Sequence, residues 1–60
     1  MMDYTREQMR LREQSIEILF KTFGQDNKNT LMYECVDEWI AKGNVTTAGL
    51  VKYYKAYYTS

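Results

Sequence analysis

The 60-residue chain carries eight basic and eight acidic side chains, a single cysteine and no histidine. A domain of this size buries only about 60% of the surface that its unfolded chain exposes, so it is marginally stable without a disulfide, a bound metal or a partner. The lone Cys35 excludes an intramolecular disulfide, and the lack of histidine excludes zinc-finger ligand spacing. The balanced charge argues against strong non-specific attraction to nucleic acid or to an anionic membrane.

The N-terminal segment is charged from Asp3 onward and has no apolar core, which is not the pattern of a signal peptide. No apolar run approaches the roughly 20 residues of a membrane-spanning helix. The sequence therefore predicts a cytoplasmic protein that does not interact with a membrane.

The first predicted element is a long helix over residues 5–23. Thr5 and Gln8 have the spacing of a capping box, and Gly24 is a natural stop because glycine readily adopts the backbone conformation that ends helices. The apolar stripe that is expected to face the core consists of Met9, Ile16, Leu19, Phe20 and Phe23.

This helix also has a second apolar face. Tyr4, Leu11 and Ile18 recur every seven residues on nearly the opposite side, which resembles an imperfect coiled-coil seam. One buried face is enough in a three-helix domain, so we predict that this seam binds a protein partner or forms a weak homodimer. The alternative is incidental surface, because scattered exposed apolar residues are normal.

A polar turn is predicted at residues 25–29, followed by a second helix over residues 31–42. Thr30 is expected to be its N-cap, and Gly43 stands just beyond its end. Its apolar stripe is Met32, Cys35, Val36, Trp39 and Ile40. The thiol within this stripe is expected to be buried and unreactive, and the indole is expected to anchor the core.

A third helix is predicted over residues 47–58, with Thr46 or Thr47 as its N-cap. The chain has no proline and no useful alternating strand pattern. The predicted fold class is therefore all-α: one small three-helix domain over residues 1–60, with the long helix 1 followed by a hairpin of helices 2 and 3.

The apolar stripe of the third helix consists largely of tyrosines. At 100° per residue, its tyrosines and aliphatic residues share one arc of about 160°. Leu50 and Tyr54 lie in the middle of this arc and are expected to pack inward. Tyr53, Tyr57 and Tyr58 can bury a ring and still reach water or a partner, so they are further candidates for protein binding.

The chain offers little for catalysis. It has no histidine, no glycine-rich phosphate loop, and no serine or cysteine beside a plausible base. We therefore expect no enzyme, no catalytic or metal-binding residues, no cofactor and no small-molecule substrate.

The stretch VTTAGLVKYY, which follows a helix and a glycine-containing turn, resembles the start of a helix-turn-helix recognition helix. That resemblance implies DNA binding through residues 46–55, with Thr46 and Thr47 near the cap and Lys52 and Lys55 on phosphates. The preceding helix carries several acidic residues, which would repel phosphate.

Marginal stability, zero net charge, the second apolar face and the tyrosine-rich tail together favour a non-enzymatic protein-interaction module of the bacterial or phage type. Such a regulator, inhibitor or adaptor acts by binding alone. The alternative hypothesis is the helix-turn-helix-like DNA-binding regulator.

Overall fold

The computed structural model describes residues 4–24 and 29–59, and within them the chain forms three α-helices and no strand. In chain order they are α1 (Arg6–Phe23), α2 (Asn29–Ala41) and α3 (Leu50–Thr59). The long α1 is followed by the pair of α2 and α3, so the predicted all-α class and helix order are confirmed. Residues 25–28 of the predicted polar turn lie outside the described residues.

The ends of α1 are fixed as the sequence predicts. The Thr5 hydroxyl accepts a hydrogen bond from the Gln8 backbone N–H, and the Gln8 side chain accepts one from the Thr5 N–H. This reciprocal capping box pairs two donors that a helix N-terminus otherwise leaves open. At the other end, Gly24 has φ +95°, and its N–H donates to the Phe20 carbonyl.

The starts of the other two helices differ from the prediction. Because α2 begins at Asn29, Thr30 lies inside the helix and is not its N-cap. The third helix begins at Leu50 rather than at residue 47, because Gly49 has φ +87°, a left-handed backbone conformation that no α-helix contains. Residues 42–49 therefore form a loop between α2 and α3.

A single apolar cluster joins the three helices. Its buried members are Leu11, Ile16, Leu19, Met32, Cys35, Val36, Trp39, Ile40, Leu50 and Tyr54. The whole predicted stripe of α2 is in this cluster, and so are the two residues of α3 that were expected to pack inward. The predicted burial of Cys35 and of Trp39 is thus confirmed.

The predicted orientation of helix 1 is wrong in part. Leu11, which was expected on a partner-binding seam, is a core residue with 7% of its surface exposed. Met9, which was expected in the core, is 53% exposed. The rest of the predicted core stripe is buried or packs against the core.

Leu11 is buried and Met9 is exposed because the buried arc of α1 lies between its two apolar flanks. At 100° per residue, Ser15 and Leu19 fall between the Leu11 flank and the Met9 flank, and both are wholly buried. Both α2 and α3 contact α1, so the arc that they cover is wide. It takes in Leu11 on one side and leaves Met9 outside on the other.

The tyrosines of α3 divide between the two other helices. The rings of Tyr54 and Tyr58 pack against Phe23 of α1, with centroid distances of 4.9 and 6.0 Å. The ring of Tyr53 packs against Trp39 of α2, with a centroid distance of 5.1 Å. The tyrosine-rich tail is therefore first of all a packing element, since it wedges between α1 and α2.

Candidate functional site

One face of the molecule carries two adjoining clefts between α1 and α2, each with a volume of about 440 Å³. Arg12 and Glu13 line both clefts, which makes them one continuous depression, here called the α1–α2 groove. Tyr4, Met9 and Asp37 complete its polar end, and Ile16, Glu17, Phe20, Lys21 and Tyr33 complete its aromatic end.

The aromatic end is built from one ring of α1 and one ring of α2. Phe20 and Tyr33 meet edge to face, with ring centroids 6.3 Å apart. The Arg12 guanidinium lies over the Tyr33 ring, 5.1 Å from its centroid, at the distance of a cation–π contact. Tyr33 remains 38% exposed, so this end presents aromatic surface to solvent.

The polar end is organised by the carboxylate of Asp37. Its Oδ1 accepts a hydrogen bond of 2.7 Å from the Tyr4 hydroxyl and one of 3.0 Å from Arg12 Nε. The bond to Asp37 raises the pKa of the Arg12 guanidinium. Burial, and then the bond to Asp37, raises the pKa of the Tyr4 phenol. This network ties the start of α1 to the middle of α2 and therefore holds the groove in shape.

The groove has an apolar floor and rims of both charges. Met9 is 53% exposed, while Glu13, Glu17 and Lys21 are exposed beside it. A surface that binds nucleic acid carries mainly positive charge, whereas protein interfaces combine an apolar centre with a mixed polar rim. The chemistry of the groove therefore suits a protein surface.

The tyrosine candidates of α3 lie away from this groove. Tyr53 and Tyr57 are half-buried, and Tyr58 is 43% exposed. The Lys42 ammonium lies 5.8 Å from the centroid of the Tyr53 ring. Burial, and then the neighbouring Glu38, raises the pKa of Tyr57. Much of this tyrosine surface is already engaged within the chain.

The predicted seam on helix 1 does not exist as one exposed surface. Tyr4 and Ile18 are half-buried, and Leu11 lines a separate pocket of about 330 Å³ together with Ile40 and Val45. That pocket lies where the start of α1 meets the α2–α3 loop. The structure does not bring the three seam residues together with the α3 tyrosines into one site.

The four DNA-binding candidates are split between a loop and a helix. Lys52 and Lys55 are exposed on α3, whereas Thr46 and Thr47 lie in the preceding loop. That loop, residues 42–49, is longer than the turn of about three or four residues in a helix-turn-helix unit.

Two further kinds of site are absent from residues 4–24 and 29–59. No three acidic or cysteine side chains come close enough together there to hold a metal ion. None of the helices in this part of the chain is both long and apolar enough to cross a membrane.

The sequence analysis missed Tyr33 and placed Met9 in the core. Phe20, which was also placed there, packs against the core and lines the groove as well. The signal that points to them is the pair of apolar flanks on helix 1 with small, polar Ser15 between them. A wide buried arc centred near Ser15 leaves the outer edge of one flank exposed, and Tyr33 then borders it from α2.

The fold defines the class of the protein as a small all-α domain with three helices. No protein-family model matches the chain, and no curated protein or solved structure shows significant similarity to it.

Proposed function

We propose that the chain is a small, non-enzymatic protein-interaction module that acts as a regulator, inhibitor or adaptor by binding a protein through the α1–α2 groove. The observation that carries this proposal is the exposure of Met9, 53%, and of Tyr33, 38%, at the two ends of one continuous cleft. Exposed apolar side chains that border a concave surface are typical of binding sites.

The polar side chains of the groove are already held in place by contacts within the chain. Arg12 is held by Asp37 and lies over Tyr33, and Asp37 is also bonded to Tyr4. A side chain that is already fixed loses little conformational entropy when a partner covers it. Binding to this face therefore avoids part of the usual ordering cost.

The test compares three forms of the purified chain: wild type, Met9→Asp and Val45→Asp. Val45 is 83% exposed and lies at the separate pocket, so it is a matched control for placing a charge on an exposed apolar position. Proteins from the native host that bind the wild-type chain are recovered by affinity purification. The affinity of each purified partner for the three forms is then measured by calorimetry. We expect Met9→Asp to weaken binding at least tenfold and Val45→Asp to leave it unchanged. Equal binding by all three forms would contradict the proposal.

DNA binding through α3 is the second candidate, and the exposure of Lys52 and Lys55 is the observation that favours it. Its test is fluorescence anisotropy with duplex DNA over a range of salt concentrations. A phosphate contact by Lys52 would appear as a salt slope that falls by about one unit in Lys52→Ala. We expect no measurable binding at physiological salt, because the net charge is zero.

A further inference from the structure

We propose that the partner segment in the α1–α2 groove is a helix that places an Asn or Gln side chain on the pair of Arg12 and Asp37, and a large apolar side chain on the aromatic end. This inference rests on the proposed function, because it specifies the chemistry of the partner that binds the same groove. It is carried by the hydrogen-bonding groups that Arg12 and Asp37 leave unused beside the cleft.

The pair of Arg12 and Asp37 is joined through one carboxylate oxygen only. Asp37 Oδ1 accepts both the bond from Arg12 Nε and the bond from the Tyr4 hydroxyl. Asp37 Oδ2 and the two terminal nitrogens of Arg12 make no hydrogen bond with any residue that the structure describes. Each side chain is 34% exposed and lines the polar end of the groove. The pair therefore presents unused N–H donors and an unused acceptor to whatever covers it.

A carboxamide matches these groups better than a charged side chain does. Its oxygen accepts from Arg12 and its NH₂ group donates to Asp37 Oδ2, so one Asn or Gln satisfies both. A carboxylate would lie against Asp37 and against Glu13, which also lines this end, and a cationic group would lie against Arg12. Like charges in contact oppose association. A purely apolar cover would leave the donors and the acceptor buried without partners, which costs binding free energy.

The spacing of the two ends of the groove fits a helix. Tyr33 at the aromatic end and Asp37 at the polar end are four residues apart on α2, about 6 Å along its axis. Side chains three or four residues apart on a partner helix have the same spacing, and helices that bind in grooves use such anchors. An extended segment would instead bring unpaired backbone groups against two helices whose own backbone groups are already bonded.

The first test is selection from a display library of random peptides of about 16 residues, a length at which helices begin to form in water. The bait is the wild-type chain, and each selected peptide is then measured against Met9→Asp and Val45→Asp. We expect the selected peptides to carry Asn or Gln three or four residues from a large apolar residue. They should lose binding to Met9→Asp and keep it to Val45→Asp.

The second test uses Arg12→Lys, which keeps the positive charge beside Asp37 but removes the two terminal N–H groups of the guanidinium. The selected peptides should bind this variant about tenfold more weakly than wild type. Peptides in which the Asn or Gln is replaced by alanine should bind both chains equally. Circular dichroism controls for folding, since Arg12 lies outside the apolar core.

The outcomes separate this inference from the proposed function. Selected peptides that depend on Met9 but carry a charged residue in place of Asn or Gln would overturn the inference and leave the proposed function intact. Peptides with Asn or Gln that bind Arg12→Lys as tightly as wild type would do the same. Selected peptides that bind independently of Met9, or a library that yields no binding peptide, would contradict both.

Discussion

The indole N–H of Trp39 donates a hydrogen bond of 2.9 Å to the backbone carbonyl of Thr46, which ties α2 to the loop that leads into α3. The Asn44 side-chain amide donates a bond of 2.8 Å to the Trp39 carbonyl. A Cβ added at Gly49 would lie 3.6 Å from the Trp39 ring. One tryptophan therefore organises the whole connection between α2 and α3.

Removing this indole should destabilise the domain severely. Trp39→Ala should cost about 3–5 kcal/mol, because it deletes a large buried side chain, and a domain this small has little stability to spare. Trp39→Phe keeps a ring but loses the bond to Thr46, so it should cost about 1–2 kcal/mol. Urea denaturation followed by circular dichroism measures both values. A cooperative transition of Trp39→Ala at the wild-type midpoint would contradict this packing.

Replacing Ser15 by alanine should stabilise the domain. Its hydroxyl is wholly buried and has no hydrogen-bond partner among the residues that the structure describes. Ser15→Ala removes an unpaired polar group, so we expect stability to rise by up to about 1 kcal/mol. Ser15→Leu overfills the helix contact and should cost about 1–3 kcal/mol. Thermal unfolding of the two variants beside wild type decides the matter, and a destabilised Ser15→Ala would show that its hydroxyl has a partner.

The Cys35 thiol should make the protein sensitive to high pH. Burial, with a smaller effect from Glu38, raises its pKa from 9.0 to about 11. The unfolded chain therefore releases this proton at lower pH than the folded chain, so the free energy of unfolding should fall as pH rises from about 9 to about 11.

Cys35→Ala is the control for this pH dependence. Other raised pKa values, such as that of Tyr54, act above pH 10 in both proteins. The difference between the two proteins therefore reports the thiol together with its smaller electrostatic effect on Tyr54. At pH 8 the thiol should react with a disulfide reagent only as fast as the chain unfolds. Immediate modification under native conditions would be incompatible with a buried Cys35.

The bond between Tyr4 and Asp37 predicts a coupling between α1 and α2. Asp37→Asn leaves an amide that binds Arg12 and Tyr4 less strongly than a carboxylate does, and we expect a loss of about 1 kcal/mol because the pair is partly exposed. The pKa of Tyr4 should fall toward 10.0, since the bond to Asp37 contributes to its rise.

A double-mutant cycle with Tyr4→Phe, read by chemical denaturation, measures the coupling. Ultraviolet titration of each variant reports the tyrosine pKa values. Strictly additive effects of the two substitutions would mean that this hydrogen bond contributes nothing to stability.

The helix order, the capping box and the core of α2 could all be predicted from the sequence, because each depends on local spacing. Thr5 and Gln8 are three residues apart, and the stripe around Trp39 repeats at helical intervals. Local rules of this kind do not depend on how the helices are arranged in space.

The orientation of α1 could not be predicted in the same way. Both of its flanks carry large apolar residues, and the side that α2 and α3 cover depends on how these helices cross α1. Leu11 is therefore core and Met9 is surface, the reverse of the expectation. The start of α3 was missed for a different reason: Gly49 adopts a left-handed conformation, which excludes it from the helix, and glycine permits that conformation without requiring it.

The most direct test of the central claim is amide chemical-shift mapping on the labelled chain when a captured partner protein is added. If the α1–α2 groove is the binding surface, the largest changes should lie at Met9, Glu13, Phe20 and Tyr33, and Met9→Asp should abolish them. Changes confined to Tyr53, Tyr57 and Tyr58, with the groove signals unmoved, would contradict the account and assign binding to α3.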